Sequence, residues 1–196
     1  MATFAWPDSL APSMVSWIIQ KSGVQFRSPF AGSVEAVEFP GQFWRVSVTL
    51  APSKTRNSGE AEAFLARIAG GAERVLVPYW PRLQPRGTLR GSLTLSTAAV
   101  RGDLTLSIGG AAVAATLKAG DMIGCGSQLF QCFQDCVTSG TIITVPLVNR
   151  VRGALAVGTV VTWNRPTVTC CLPSPSSSRS YEPGAAGSLA ADLEEV

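Results

Sequence analysis

The residues of this chain with the most chemical potential are its five cysteines, Cys125, Cys132, Cys136, Cys170 and Cys171. Four thiolates at suitable spacing hold a zinc ion, and two thiols can form a disulfide. Cys132 and Cys136 have three residues between them, which is not the two-residue spacing of a zinc knuckle. Cys170 and Cys171 are adjacent, so on a strand they point to opposite faces. The pattern favours thiols acting as small buried hydrophobes, with a metal site or a disulfide as the alternatives. The count is odd, so the cysteines cannot all pair within one chain. The start, MATFAWPDSL, has neither a basic region nor a long apolar core. Both features predict cytosolic synthesis with reduced thiols.

Other catalytic constellations find little support. Histidine is absent. That removes Ser-His-Asp and Cys-His arrangements and the commonest transition-metal ligand. The acidic residues Glu35, Glu38, Asp103, Asp121 and Asp135 show no paired-carboxylate spacing, although sequence alone does not place two carboxylates in space. Asp121 follows Gly120, where a turn carboxylate hydrogen-bonds backbone. Gly109-Gly110 and Gly124-Cys125-Gly126 are followed by neither Lys-Ser/Thr nor a helix start, so they are not phosphate loops. The expectation is a protein that is not an enzyme, with no catalytic, metal or cofactor-binding residue and no cofactor.

Composition points to assembly instead. Charged residues make up 15% of the 196 residues, against about 25% in ordinary soluble domains. Such a surface is better suited to being covered by neighbours. The net charge is +3 and the sixteen basic residues are scattered, which predicts no direct nucleic-acid reading. Thirteen of the sixteen are Arg, the residue suited to planar interface contacts. No uncharged apolar run reaches the roughly 18 residues of a membrane span, so no membrane insertion is expected. Among the five tryptophans, Trp44 and Trp163 fall in strand patterns and read as core. Trp6 and Trp80 flank prolines and read as interface anchors or as a sugar-stacking platform. Trp6, Trp17, Phe30, Tyr79, Trp80, Arg82 and Arg86 form the candidate subunit-interface set.

The elements that must position these residues are mostly strands. Ser16–Gln20 and Val24–Ser28 read as short strands, and Pro29 stops the second. Ser33–Phe39 and Gln42–Leu50 read as a hairpin turning at Pro40-Gly41. Trp44, Val46, Val48 and Leu50 alternate with Phe43, Arg45, Ser47 and Thr49 at the strand period. Asn57–Gly71 switches to a helical pattern, with Asn57 or Ser58 as N-cap and Gly70-Gly71 as the stop. Further strands are expected at Arg74–Tyr79, Leu104–Ile108, Ala114–Leu117, Met122–Cys125, Gln128–Phe133, Thr141–Val145, Val160–Trp163 and Thr167–Leu172. Short strands at this spacing predict a sandwich or small barrel. Pro173, Pro175 and Ser174–Ser178 have linker composition, and the end is acidic at Asp192, Glu194 and Glu195. The tail is expected to be disordered in isolation, or held by a neighbouring subunit.

Two groups of segments resemble a known family. The first is Ser28-Pro-Phe-Ala-Gly-Ser33, then Phe39-Pro-Gly-Gln-Phe-Trp-Arg-Val-Ser-Val-Thr-Leu50, then the helix Glu60–Gly70. The second is Leu117-Lys-Ala-Gly-Asp-Met-Ile-Gly124, Gln128–Gln131, Val145–Arg150 and Gly158–Pro166. Their order, over roughly residues 15–172, is similar to distal-tail or minor-tail (baseplate hub-ring) structural proteins of tailed bacteriophages. The resemblance implies a mainly β (α+β) fold: a tail-tube-like β-sandwich or barrel belt domain with one helix, plus a small β-rich module. The belt domain would span 1–100 with its helix at 58–70. The module would span 101–172, its last strands free to return to the first domain, and 173–196 would be an extended Pro/Ser-rich tail. The module resembles the fold of self-splicing domains but lacks their histidine and a cysteine at the domain start. The implied role is a ring of six copies at the distal end of the tail tube. Its partners would be itself, the tail tube protein and baseplate hub or tip proteins. Its place would be the virion tail, assembled in the host cytoplasm. A carbohydrate- or receptor-binding tail module is the alternative.

Overall fold

The computed structural model describes residues 2–50, 58–173 and 189–196. The fold is mainly β, with one helix among the described residues. Two compact units share the chain discontinuously. The first comprises Met1–Ile18, Trp44–Leu83 and Arg165–Val196, and the second Ile19–Phe43 and Gln84–Asn164. These bounds differ from the division expected near residues 100 and 172. Leu89, Leu93 and Leu95 lie in the core of the second unit, so residues from Gln84 onward belong there.

The first unit contains most of a six-stranded sheet. Its order is β1 (Thr3–Ala5), β4 (Arg74–Pro78), β13 (Thr167–Cys171), β14 (Leu189–Glu195), β3 (Val34–Leu50) and β2 (Pro12–Arg27). β1 runs parallel to β4, while β4, β13, β14 and β3 pair antiparallel in sequence. Alternate residues supply the buried face: Val75 and Val77, Val168 and Cys170, Leu193, and Val46 with Val48. The helix α1 (Ser58–Ile68) buries Ala61, Leu65 and Ile68, one stripe at i, i+4 and i+7. Gly70 and Gly71 follow at φ 92° and 71°, the left-handed geometry that ends a helix. Asn57, expected as an N-cap, lies outside the described residues, as do the linker residues Ser174–Ser178.

Two strand expectations are corrected here. The chain does not turn at Pro40-Gly41. β3 runs unbroken from Val34 to Leu50, and the hairpin turn lies at Pro29–Gly32, where the Ser28 N–H donates to Ser33 O at 2.9 Å and the Gly32 N–H to Ser28 O at 3.1 Å. Gly32 sits at φ 65°. β14 pairs with β3 over Arg45–Leu50, so around Pro40 one side of β3 has no strand partner among the described residues. A residue without an N–H is tolerated at such an open side. The acidic C-terminus is likewise no free tail over its last residues. Leu189–Glu195 inserts between β13 and β3 with Ala191 and Leu193 buried. Its charges are matched across the ladder: Asp192 accepts a 2.6 Å hydrogen bond from the Ser47 hydroxyl, and Glu194 pairs with Arg45.

The second unit holds another six-stranded sheet, ordered β11 (Ile142–Pro146), β6 (Thr105–Gly109), β5 (Leu93–Leu95), β12 (Val160–Thr162), β8 (Met122–Cys125) and β9 (Gln128–Gln131). A two-stranded ribbon joins β7 (Thr116–Leu117) to β10 (Cys136–Val137). Leu93, Leu106, Ile108, Ile123, Phe130 and Ile143 are fully buried in its centre. Asp121 is the polar anchor of this unit. Its carboxylate accepts the N–H groups of Arg86, Gly87 and Lys118 at 2.9, 3.0 and 2.9 Å. This extends the turn role expected of it, because one buried carboxylate satisfies backbone from two distant segments. Gly87 has no room for a side chain: a Cβ would sit 2.0 Å from Thr116 O.

Candidate interaction surface

The hairpin formed by β2 and β3 carries a group of exposed apolar side chains, among them Val24, Phe26, Phe30, Val37 and Phe39. Every residue from Gln20 to Phe39 is exposed except the half-buried Ser28. The Ser28–Ser33 hydrogen bond at its tip sets the two strands in register. Residues whose numbers sum to 61 then face each other. The close approach of Gly23 to Val37 O and Glu38 Cα fits that pairing. Side chains alternate between faces. Val24 and Phe26 therefore share one face with Val37 and Phe39, beside Ser22 and Glu35. The other face carries Lys21, Gln25, Arg27 and Glu38 together with Val34 and Ala36, with Lys21 Nζ 3.4 Å from Glu38 Oε1. The arm is amphipathic, yet its apolar face is open to solvent: Phe26 is 60% exposed.

Phe30 is 99% exposed at the tip of this hairpin. It stands in a turn closed by Pro29, Gly32 and the Ser28 hydroxyl, which accepts the Ala31 N–H at 3.2 Å. An aromatic side chain held fully in water by a tight turn gains nothing from its own chain. Near the base, Gln42 is buried. Its amide donates to Glu38 at 3.3 Å, and its carbonyl accepts the Arg150 N–H at 3.2 Å. β2 is also the outermost strand of its sheet along its whole length, and a long apolar edge of this kind invites pairing with another strand.

The other expected interface residues fall in different places. Trp6 is not an exposed anchor but a core residue, only 7% exposed. Its indole N–H donates to Leu10 O at 2.7 Å, and its ring meets Phe64 and Trp80 edge-on at 5.3 Å each. Burying the large ring outweighs leaving it in a Pro-flanked loop. Trp17, Tyr79 and Trp80 are half-buried. The Trp17 ring packs on Trp44 and Tyr79 at 5.9 and 5.0 Å. Arg82 is exposed. Arg86 is exposed too, but its guanidinium bonds Ala119 O and lies 3.6 Å from Asp121. Of the seven residues expected at an interface, only Phe30 lies on the open arm. Val24, Phe26, Val37 and Phe39 were not singled out by sequence. The signal was there: two apolar alternations flank Pro29-Phe30-Ala31-Gly32.

The cysteines are all free thiols. Burial pushes the Cys125 thiol up to about 11, and burial also raises Cys171. Cys132 and Cys136 come together, with their sulfurs 3.9 Å apart. Among the described residues no group of three or more His, Cys, Asp or Glu side chains is placed to hold a metal ion. No helix among them is long and apolar enough to cross a membrane. Set against known proteins, the chain matches no family model and no curated protein.

Proposed function

We propose that this protein is a structural ring subunit of a bacteriophage tail, set at the distal end of the tail tube where tube meets baseplate or tip proteins. The observation that carries this reading is the amphipathic arm, whose apolar face of Val24, Phe26, Val37 and Phe39 lies open beside an unpaired strand edge. An isolated two-stranded ribbon is marginal in water. It becomes stable once another surface covers its apolar face and another strand satisfies its edge. A ring does both, because each copy offers the same arm to the next and the contacts close by rotation. Six copies is the number implied by the family resemblance. The low charge of the whole chain supports the same reading.

The alternative, a glycan-binding tail module, draws less support. It needs an aromatic platform facing solvent, and the rings of Trp6, Trp17 and Trp80 are already packed against other aromatic rings. Sedimentation velocity of the purified chain, followed by negative-stain imaging, tests the ring. The expected result is a closed annular species of about six chain masses that dissociates when Phe26 and Phe39 are both changed to Ser. A monomer at all concentrations, and in the presence of tail tube protein, would overturn it.

A further inference from the structure

The second unit brings two thiols together at its core, Cys132 within it and Cys136 packed against it. Cys132 directly follows β9 and bridges to Leu147, and Cys136 opens β10 opposite Leu117. Between them Phe133, Gln134 and Asp135 form an exposed loop. The loop is pinned at both ends. The Phe133 N–H donates to Pro146 O at 2.8 Å, while Asp135 accepts from Lys118 Nζ at 2.8 Å and from the Ala119 N–H at 2.9 Å. This pinning brings the two sulfurs within 3.9 Å of each other. Of the other three cysteines, Cys125 and Cys170 are buried and Cys171 is half-buried.

We propose that Cys132 and Cys136 form a paired-thiol oxidation site, which hydrogen peroxide or another small peroxide converts to an intraloop disulfide spanning Phe133-Gln134-Asp135. The two thiols divide the work by exposure. Cys136 is half-buried and reachable, and Cys132 is buried behind it. The Cys132 thiol has two acceptors in reach, Gln134 O at 3.0 Å and the Cys136 sulfur. The contact with Cys132 holds Cys136 below the usual thiol range, while the same contact together with burial holds Cys132 above it. Asp121 and Asp135 oppose the Cys136 thiolate electrostatically without reversing that order. Cys136 is thus the attacking sulfur and Cys132 the resolving one.

In the first step the Cys136 thiolate attacks one peroxide oxygen and the O–O bond breaks. The departing oxygen takes a proton and leaves as water (or as the alcohol, for an alkyl peroxide), and Cys136 becomes a sulfenic acid. In the second step the Cys132 sulfur attacks the Cys136 sulfur. The S–O bond breaks, the S–S bond forms, and the hydroxyl leaves as a second water with the thiol proton. Two thiols have lost two electrons and the peroxide has gained two. Closing the contact to a disulfide of about 2.05 Å requires the sulfurs to approach by roughly 2 Å, within reach of side-chain rotation and a small shift of an exposed loop.

Intact mass and peptide mapping of the full-length folded protein test this directly. The protein is treated with hydrogen peroxide, quenched, alkylated, and digested with chymotrypsin without reduction. Cleavage after Phe133 separates the two cysteines, so their peptides stay joined only through a disulfide. The expected result is a loss of two mass units, a joined Cys132–Cys136 peptide pair, and full reversal by dithiothreitol. In Cys132→Ser the two-unit loss disappears and dimedone traps a sulfenic acid at Cys136. In Cys136→Ser the two-unit loss disappears and Cys132 stays unmodified. Circular dichroism confirms that each variant is folded, and a Cys132→Ala variant replaces any that is not. Oxidation spread equally over Cys171 and Cys136, a disulfide between two chains, or thiols at 132 and 136 that react only after unfolding would each overturn the proposal.

Discussion

The strands β2 and β3 behave as two different materials along one hairpin. Between Trp44 and Leu50, alternate residues of β3 are buried, and β14 lies along its far side. Between Gln20 and Phe39 the same two strands bury almost nothing, although Val24, Phe26, Val37 and Phe39 are no less apolar than Val46 and Val48. Residue type does not separate the two stretches; what separates them is whether a further layer of protein covers them. Near the base the chain's own C-terminal strand, β14, also pairs along the edge of β3. On the arm no described residue covers the apolar face, and the proposed ring would cover it with another copy.

Removing β14 should cost the most. Truncating the chain before Leu189 bares β3 and β13 and deletes Leu193, which is fully buried. The loss is comparable with the whole stability of a small domain, about 5 kcal/mol or more. The cooperative calorimetric transition of the first unit should disappear. If that transition survives unchanged, β14 is not part of the folded core.

A gentler change sharpens the same point. Leu193→Ala keeps the ladder and removes only side-chain volume, so it should destabilise by about 3 kcal/mol in urea melts. A change below about 1 kcal/mol would mean that the site is not closely packed.

The smallest effect on stability belongs to the arm. Changing Phe26, Phe30 and Phe39 together to Ser should alter the unfolding free energy of the dissociated chain by less than about 1 kcal/mol, since none of the three is buried. The same triple variant should fail to assemble. Strong destabilisation of the dissociated chain would show instead that the arm folds back on its own protein.

Much of the architecture could be read from local pattern. Met122–Cys125 is a strand with the bounds expected between Gly120-Asp121 and Gly126-Ser127, and the helix ends where Gly70-Gly71 requires. What escaped was decided by context. Pro40-Gly41 has the composition of a turn, but among the described residues β3 has a free side there, and a free side accommodates proline. Leu-Ala-Ala-Asp-Leu-Glu-Glu reads as an acidic tail because its partners, Arg45 and Ser47, lie far away in sequence. β1, β5 and β10 span only two or three residues each, too short for a period to show. Trp6 looked like an anchor because prolines surround it, and only the fold brings Phe64 and Trp80 to its ring. Of the interaction surface, Phe30 was legible and the apolar face behind it was not, because assigning faces required knowing where the hairpin turns.

Hydrogen–deuterium exchange of backbone amides in residues 20–39, measured on dilute dissociated chain and on the assembled particle, bears most directly on this picture. The account predicts fast exchange in the dissociated chain and strong protection in the assembly, centred on Val24–Phe26 and Val37–Phe39, while Trp44–Leu50 is protected in both. Arm amides that exchange equally fast in the assembled particle, or that are already slow in the lone chain, would contradict it.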